Sequence, residues 1–437
     1  MHGITLIALV VTIVVLLILA GITISLMFSE NGIIAKAREA AEKTNQAVIN
    51  EQAQMNDLAA TMENMLNGIG GSTAPDEPTE NIDPETGWDL NKVVKVPSKD
   101  ETPIIVPVPK GYTASDVTGE NTVENGFVIY EGEESINDES DIEEARETRN
   151  QFVWVPVLDV SEMYGTDING KKWGKLYNFS ASGITPLNWT ENDGVMTILN
   201  ATSYREPDVV PDETLGDTNT RIAEMGLEGV TTVNEFKTYL ELEFSNIIES
   251  VSIYGGFYIG RYETGNLSKT EVSVIKNNSD IEGQTWYTMY NKSKGIAANS
   301  NVTTSMIWGC QWDAVMRWMY NSGDEEKKTY TYNSTGKGNY SGTNGNKTIP
   351  TGSNNAYSVN NIYDMAGNVY DWTVEADGNY KRDNRGGRYG TSNGVTEASS
   401  SRFSNNTGAG STQRFSCYSL YKYIKKDKNI GIVQNFV

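Results

Sequence analysis

The stretch Asn361–Trp372 reads NIYDMAGNVYDW and is followed shortly by Arg385–Tyr389, RGGRY. Gly367 can adopt a positive φ without steric cost, so the chain can turn tightly at the middle of the first stretch. Large apolar side chains surround this glycine at Met365, Val369 and Trp372. The pattern predicts a tight turn that packs on a core.

Short strand and helix patterns surround this stretch. Phe152–Val157 alternates large residues as a strand does, and Gly255–Glu263 (GGFYIGRYE) has the same character. Gln311–Met319 (QWDAVMRWM) places its apolar residues on one helical face. Aromatic residues are frequent, and Gly, Asn, Ser and Thr dominate the connections. Residues 151–437 are therefore predicted to contain short strands, few helices and many loops.

In order and spacing, these segments resemble the signature of the formylglycine-generating enzyme family, also called sulfatase-modifying factors. The resemblance covers residues 151–437 and implies an irregular α+β domain of the C-type lectin-like type. Residues 91–150 contain a β-branched, proline-punctuated run and a second short strand pattern. We expect them to pack on the main domain as an N-terminal strand extension.

The sequence of the N-terminal region predicts a membrane anchor. Residues 4–28 carry no charge, and this apolar run is long enough for a helix that spans a bilayer. Apolar or small residues then recur in alternating steps of three and four over 34–65, which predicts a helix that packs along a partner helix. A solvated stalk helix is the alternative. Residues 68–90 are rich in Gly, Ser, Pro and acid, and they predict a flexible linker.

The residues Gly3–Val10 (GITLIALV) resemble the N-terminus of type IV prepilins and pseudopilins. The resemblance covers residues 1–67 and implies cleavage after the glycine and a C-terminal body outside the cell. Ala8 stands where pilins carry a glutamate that helps assembly, and the leader lacks basic residues. We expect a single-pass protein of the cell membrane with an extracellular C-terminal domain, with a pilus as the alternative location.

Composition excludes several classes of function. The formal net charge is −22, which argues against nucleic-acid binding because phosphate contacts need clustered Lys and Arg. The single histidine is His2, so no histidine triad or His-ligated metal can exist in the body of the protein. Cys310 and Cys417 are the two cysteines, and they can form one bridge or remain two thiols.

The family resemblance implies an enzyme only where the catalytic ligands are present. Its oxidases use a pair of nearby C-terminal cysteines that bind copper, and a related branch uses a histidine-ligated iron. Cys417 stands by itself in that stretch, so we predict a non-catalytic member without a redox metal. The alternatives are a modifying enzyme with relocated ligands at Cys310 and Cys417, and an acid–base site built from carboxylates.

Calcium is the cofactor that the resemblance implies for the signature loop. Family members hold it there, which gives Asp364 and Asp371 as side-chain ligands and Gly367 and Val369 as carbonyl ligands. Calcium accepts several oxygen ligands from irregular loops, so these groups suit it chemically. Asp371 replaces the usual glutamate and reaches less far. A packed turn without an ion is the alternative.

The segment 388–418 combines aromatic residues, arginines and small polar residues, as binding loops do. It also resembles the variable segment of proteins diversified by retroelements, which share the C-type lectin-like fold. The predicted ligand-binding residues are Arg388, Tyr389, Ser392, Asn393, Arg402, Phe403, Asn405, Asn406, Arg414, Phe415 and Tyr418. We expect an adhesin-like protein that binds an extracellular protein or glycan, and a minor pilin subunit is a further alternative.

Overall fold

The computed structural model describes residues 93–96, 104–199, 205–207, 219–265, 272–278, 285–296, 302–377, 381–391, 394–406, 413–414 and 418–421. The chain divides into two units, Met1–Thr79 and Glu80–Val437, and the described residues all belong to the second. The predicted membrane helix, partner helix and linker lie outside the described residues. Among the residues that the structure describes, no helix combines the length and the apolar character that crossing a bilayer requires.

The described part is a mixed α and β structure of mostly short elements. Its helices are α1 (Glu139–Thr148), α2 (Asn219–Glu224), α3 (Val233–Tyr254), α4 (Trp286–Ser293), α5 (Gly309–Tyr320) and α6 (Glu325–Tyr332). Its strands are β1 (Val93–Val96), β2 (Ile104–Pro107), β3 (Tyr112–Ala114), β4 (Val128–Glu131), β5 (Gln151–Pro156), β6 (Tyr164–Thr166), β7 (Lys172–Gly174), β8 (Tyr177–Ser180), β9 (Gly183–Pro186), β10 (Trp189–Asn192), β11 (Val195–Ile198), β12 (Gly256–Gly260), β13 (Thr303–Met306), β14 (Ser358–Val359), β15 (Ile362–Tyr363), β16 (Tyr370–Asp377), β17 (Lys381–Arg385), β18 (Arg402–Asn406), β19 (Gln413–Arg414) and β20 (Tyr418–Tyr421).

An antiparallel six-stranded sheet in the order β13-β20-β12-β5-β4-β3 forms the centre. β5 is buried along most of its length, and Trp154 packs edge-on against Tyr258 of β12, with ring centres 5.0 Å apart. Strands β3 and β4 come from the segment 91–150, so this segment contributes to the same sheet as the main domain.

Helix α3 packs on this sheet through an apolar stripe. Thr232 and Glu235 form a capping box at its start, and Gly255 ends it in the left-handed conformation. Its buried apolar residues recur at steps of three and four: Phe236, Leu240, Phe244, Ile247 and Val251. Burial of this stripe holds the helix in place far more strongly than its intrinsic helix propensity would.

Helix α5 contains the predicted segment Gln311–Met319, and its face of Trp312, Val315, Met316 and Met319 is buried. The prediction of a helix with one apolar face is confirmed. The helix begins beside a second sheet, of order β18-β17-β16-β19. Strands β16 and β17 pair antiparallel with an irregularity between Trp372 and Ala376.

The signature stretch forms a tight turn whose backbone is left-handed at several positions. Asp364 and Asn368 have φ of 60° and 55°, and Gly367 has φ of 76°. Asp and Asn tolerate this region better than other residues with a side chain. Met365, Val369 and Trp372 are buried, as predicted for a turn packed on a core.

Candidate functional site

Three residues from separate parts of the chain form a half-exposed patch at the four-stranded sheet. The rings of Tyr370 on β16 and Phe403 on β18 lie 5.0 Å apart. The guanidinium of Arg388 lies 5.8 Å from the ring centre of Tyr370. We call Tyr370, Arg388 and Phe403 the aromatic patch. Each of the three side chains is half-buried, so each is held in position and still reaches solvent.

Glu397 borders the aromatic patch. Its Oε2 accepts a hydrogen bond of 3.1 Å from the Tyr370 hydroxyl. Burial, and then the Glu397 carboxylate, raise the pKa of Tyr370 to about 12. The phenol therefore stays protonated at neutral pH, so it presents a neutral ring and a donor. Aromatic rings with an adjacent guanidinium are typical of the residues that contribute most to binding.

The other predicted ligand residues fall in different environments. Tyr389 is half-buried, and its backbone N–H donates to the Asn368 carbonyl at 3.0 Å, which ties the patch to the signature turn. The Asn405 side chain donates to Asn384 at 2.6 Å. Ser392, Asn393 and Phe415 lie outside the described residues. For Asn406, Arg414 and Tyr418 the structure gives the strand backbone but not the side chain.

The strand that contains Tyr418 belongs to the centre of the molecule. β20 lies between β12 and β13 in the six-stranded sheet, where Tyr418 pairs with Met306. A backbone in this position is hydrogen-bonded on both sides. The end of the predicted binding segment therefore serves as a core strand, whereas Arg388 and Phe403 lie at the other sheet.

Arg402 lies in the interior, although its sequence context resembles that of a surface residue. Its Nε donates to Glu375 at 2.8 Å, its Nη1 donates to the Tyr177 carbonyl at 2.8 Å, and its Nη2 contacts Asp313. Asp313 also pairs with Arg385, and both of those side chains are fully buried. The Arg402 guanidinium thus supports the sheet from beneath and is not part of an exposed surface.

Two buried glutamates adjoin these ion pairs. Glu206 accepts hydrogen bonds from the backbone N–H groups of Gly309 and Cys310, at the start of α5. A Cβ on Gly309 would lie 2.2 Å from Glu375 Oε2 and 2.7 Å from Glu206 Oε1, so both carboxyl groups converge on this glycine. Burial, and then the charge of Glu375, raise the pKa of Glu206 to about 8. We call Asp313, Arg385, Arg402, Glu375 and Glu206 the Asp313 network.

Cys310 lies beside this network with a buried thiol. Burial and the neighbouring carboxyl of Glu206 raise the pKa of its thiol well above the usual range. A thiolate is the form that binds metal or attacks a substrate, so this environment disfavours both roles. Cys417 lies outside the described residues, and the separation of the two sulfurs stays untested.

The predicted calcium residues are arranged around the signature turn. Asp364 Oδ2 accepts hydrogen bonds of 2.9 Å from the Thr351 hydroxyl and the Gly352 N–H. Asp371 is buried and pairs with Arg385 in the β16–β17 register. Within the described part of the chain, no three or more acidic, histidine or cysteine side chains converge as a metal site would require. Calcium at Asp364, Gly367, Val369 and Asp371 stays a prediction.

Sequence reasoning missed several residues of this region. Tyr370 stands within the signature stretch, but nothing in the local pattern pairs it with Phe403. Glu397 and Asp313 carry no motif that would mark them. Glu206 comes from a short segment whose backbone pairs with Ala376, and this pairing arises only in the folded chain. Glu206 caps the start of α5, which begins far along the chain from it. A sequence search for acids next to predicted helix starts would therefore have missed Glu206.

Comparison with known proteins gives few similarities. No family model and no curated protein matches the chain. Among solved structures, it is similar to CarF at 14% identity, over 38% of this chain and 87% of that chain, with a TM-score of 0.27. It is similar to PvdO from Pseudomonas aeruginosa at 17% identity, over 39% and 82%, with a TM-score of 0.25. It is also similar to Treponema denticola variable protein 1 at 15% identity, over 60% and 98%, with a TM-score of 0.21. Scores this low assign no function.

Proposed function

We propose that the chain is a membrane-anchored, outward-facing binding protein whose C-type lectin-like head holds its ligand at the aromatic patch. The observation that carries the proposal is the contact between two half-buried rings, Tyr370 and Phe403, with the Arg388 guanidinium beside the Tyr370 ring. Rigid aromatic side chains supply contact area at a low cost in conformational entropy. The sequence signature adds the lectin-like assignment, and the apolar segment 4–28 adds the anchor.

Rigidity of the patch is what makes it suitable for recognition. Phe403 and Arg402 are neighbours on β18, so one side chain faces the patch while the next is anchored to Asp313 and Glu375. Successive residues of a strand point to opposite faces, which explains this division of roles. A pre-formed surface loses less entropy on binding than one that must order itself. The ligand class is an extracellular protein or a glycan.

The test uses the full chain in detergent, applied to printed arrays of glycans and of short random-sequence peptides. The compared variant combines Tyr370→Ala with Phe403→Ala. The matched control combines Leu158→Ala with Ile168→Ala, which are exposed apolar residues at 92% and 85% outside the aromatic patch. We expect array features whose binding falls about tenfold or more in the patch variant, as for central contact residues, and is unchanged in the control. Binding that never depends on the patch would overturn the proposal.

Calcium forms a separate arm of the same test. If the signature loop binds calcium, the ion stabilises the head by mass action, so its melting temperature rises with calcium concentration. Replacing Asp364 by Asn removes the side-chain ligand charge and should abolish that rise. A melting temperature that is unaffected by calcium would remove the ion from the proposal and leave the binding surface intact.

A further inference from the structure

A lysine and a glutamate meet in the apolar interface between helices α3 and α4. Glu243 lies on the buried face of α3, and Lys294 is the residue that ends α4. The Lys294 Nζ contacts Glu243 Oε2 directly. The two side chains are 15% and 3% exposed, so the contact is almost closed to water.

Two aromatic donors hold the carboxyl group of Glu243. The Tyr290 hydroxyl donates to Oε2 at 2.8 Å, and the Trp308 indole N–H donates to Oε1 at 3.1 Å. The oxygen that contacts the lysine is thus the one that a phenol can protonate. The other oxygen faces a fixed N–H donor of the kind that stabilises negative charge on a carbonyl oxygen.

The surroundings favour the uncharged forms of both groups. The Lys294 Nζ lies 4.5 Å from the ring centre of Tyr290 and 5.3 Å from that of Tyr239, and Phe244 packs against Trp308. Burial lowers the pKa of Lys294 well below its usual range. In an interior of low dielectric constant, proton transfer from the ammonium to the carboxylate removes two costly charges. The result is a neutral amine, which is a nucleophile, beside a neutral carboxylic acid.

We propose that Lys294 and Glu243 become joined by an amide bond between Nζ and Cδ in the folded chain. Nζ attacks Cδ, the Nζ–Cδ bond forms, and the Cδ–Oε2 bond breaks. The Oε2 oxygen leaves as water with one proton from the amine and the proton of the acid. Tyr290 relays a proton to the leaving oxygen, and Trp308 stabilises the negative charge on Oε1. The step needs no oxidant, reductant or other reagent.

Proximity lowers the activation barrier that keeps the same groups from reacting in solution. Fixing two reactants in contact converts a bimolecular step into an intramolecular one, with effective molarities of roughly 10⁵–10⁸ M in well-oriented cases. Exclusion of water from the contact also opposes the reverse hydrolysis. The bond would tie α3 to α4 across 51 residues of chain. It acts on the body of the head and is independent of the aromatic patch.

The same helix provides a matched control pair. Glu241 lies two residues before Glu243 and pairs with Lys171 at 3.5 Å. These side chains are 41% and 28% exposed, so water reaches both of them. The pair lacks the closed, apolar surroundings of Lys294 and Glu243, and we expect no amide at it.

The experiment is peptide mass spectrometry of the full chain after tryptic digestion. Joining Lys294 to Glu243 blocks cleavage after Lys294 and links the peptide 238–261 to the peptide 293–317. We expect this branched peptide at the summed mass of its two arms less one water. Lys294→Met should abolish it, whereas Lys171→Met should leave it unchanged. Separate, unmodified peptides from the wild-type chain would overturn the proposal, as would a branched peptide that persists in Lys294→Met.

A time course after cell-free synthesis tests the chemical roles of the two donors. Tyr290→Phe keeps the ring and removes the O–H, and Trp308→Phe removes the N–H and replaces the indole by a smaller aromatic ring. Loss of a donor to the reacting group is expected to slow appearance of the branched peptide about tenfold or more. If both variants form the branched peptide at the wild-type rate, the assigned mechanism is overturned even where the bond itself is found.

Discussion

Two buried charge networks lie in different parts of the molecule and are balanced in opposite ways. At the central sheet, the Arg261 network joins one carboxylate, Glu120, to the guanidiniums of Arg261 and Arg146. In the Asp313 network, three acids accompany two arginines. Arginine stays protonated in proteins, whereas a carboxyl group can take up a proton. At neutral pH the first network keeps its single carboxylate charged, because two arginines surround it, whereas the second adjusts its charge when Glu206 binds a proton.

The two networks should respond to pH in opposite directions. Burial raises the pKa of Glu120, but the charges of Arg261 and Arg146 outweigh burial and lower its pKa overall. Its contribution to stability is complete above its unfolded-state pKa and is lost in acid as the pH falls through the lowered value. Glu206 has a raised pKa, of about 8. Its protonated form stabilises the fold, so stability declines as pH rises from about 4.5 towards 8.

The largest effect is expected from Glu120→Gln. The change leaves the buried Arg261 guanidinium without its carboxylate, and breaking a buried pair in this way costs about 3–5 kcal/mol. Chemical denaturation of the full chain near neutral pH measures the loss. Glu143→Gln is the matched control, because Glu143 pairs with the same Arg146 at a 59% exposed position, where about 0–1 kcal/mol is expected. Equal stability of the two variants would contradict the role assigned to the Arg261 network.

The sequence allowed the turn at the signature stretch to be predicted because its determinants are local. A glycine, nearby Asn and Asp, and apolar residues at fixed spacing are sufficient to specify it. The helix around Trp312 was predictable for the same reason. The Asp313 network was not predictable, since Arg402 meets Asp313 across 89 residues and Glu206 meets Gly309 across 103. An arginine in a run of Ser and Asn is predicted to be exposed, and only the folded structure shows that Arg402 lies beneath the sheet.

A somewhat smaller effect is expected from Arg402→Met, which removes one cation from the Asp313 network. Asp313 and Glu375 then have one cation fewer to balance their buried charges, and this loss is expected to cost about 2–4 kcal/mol of stability. The loss should be smaller at pH 5 than at pH 8, because Glu206, whose pKa is raised to about 8, holds a proton at pH 5 and then adds no charge to the network. Denaturation at both pH values checks this difference.

Arg388→Met is the control for that variant. Its side chain is half-buried and lies at the surface, outside the Asp313 network, and we expect a change below about 1 kcal/mol at either pH. A loss in Arg402→Met that is the same at pH 5 and pH 8 would show that Glu206 does not take up a proton between these pH values.

Glu206→Gln should change the pH dependence of the unfolding free energy more than its size. Glutamine keeps one oxygen to accept from the start of α5 but loses the second acceptor, so the variant is expected to lose about 1–2 kcal/mol at pH 5. As the pH rises above 5, the unfolding free energy of the wild type should fall towards that of the variant. The reason is that folded wild-type protein must either keep a proton on Glu206 or bury a second negative charge. Unfolding free energies between pH 5 and pH 9 test this. Parallel curves for both proteins would contradict a protonated Glu206.

An effect on stability as small as that of Glu206→Gln is expected at the surface that the Asp313 network supports. Phe403 is half-buried against Tyr370, so Phe403→Ala should cost about 1–2 kcal/mol, less than the 3–5 kcal/mol of a core phenylalanine. Since the neighbouring Arg402 keeps its ion pairs, the pH dependence of unfolding should match that of the wild type. A changed pH profile would mean that Phe403 helps to close the network, and a loss of array binding could then reflect a disturbed sheet. With an unchanged profile, a tenfold loss of binding by this variant would belong to the aromatic patch itself.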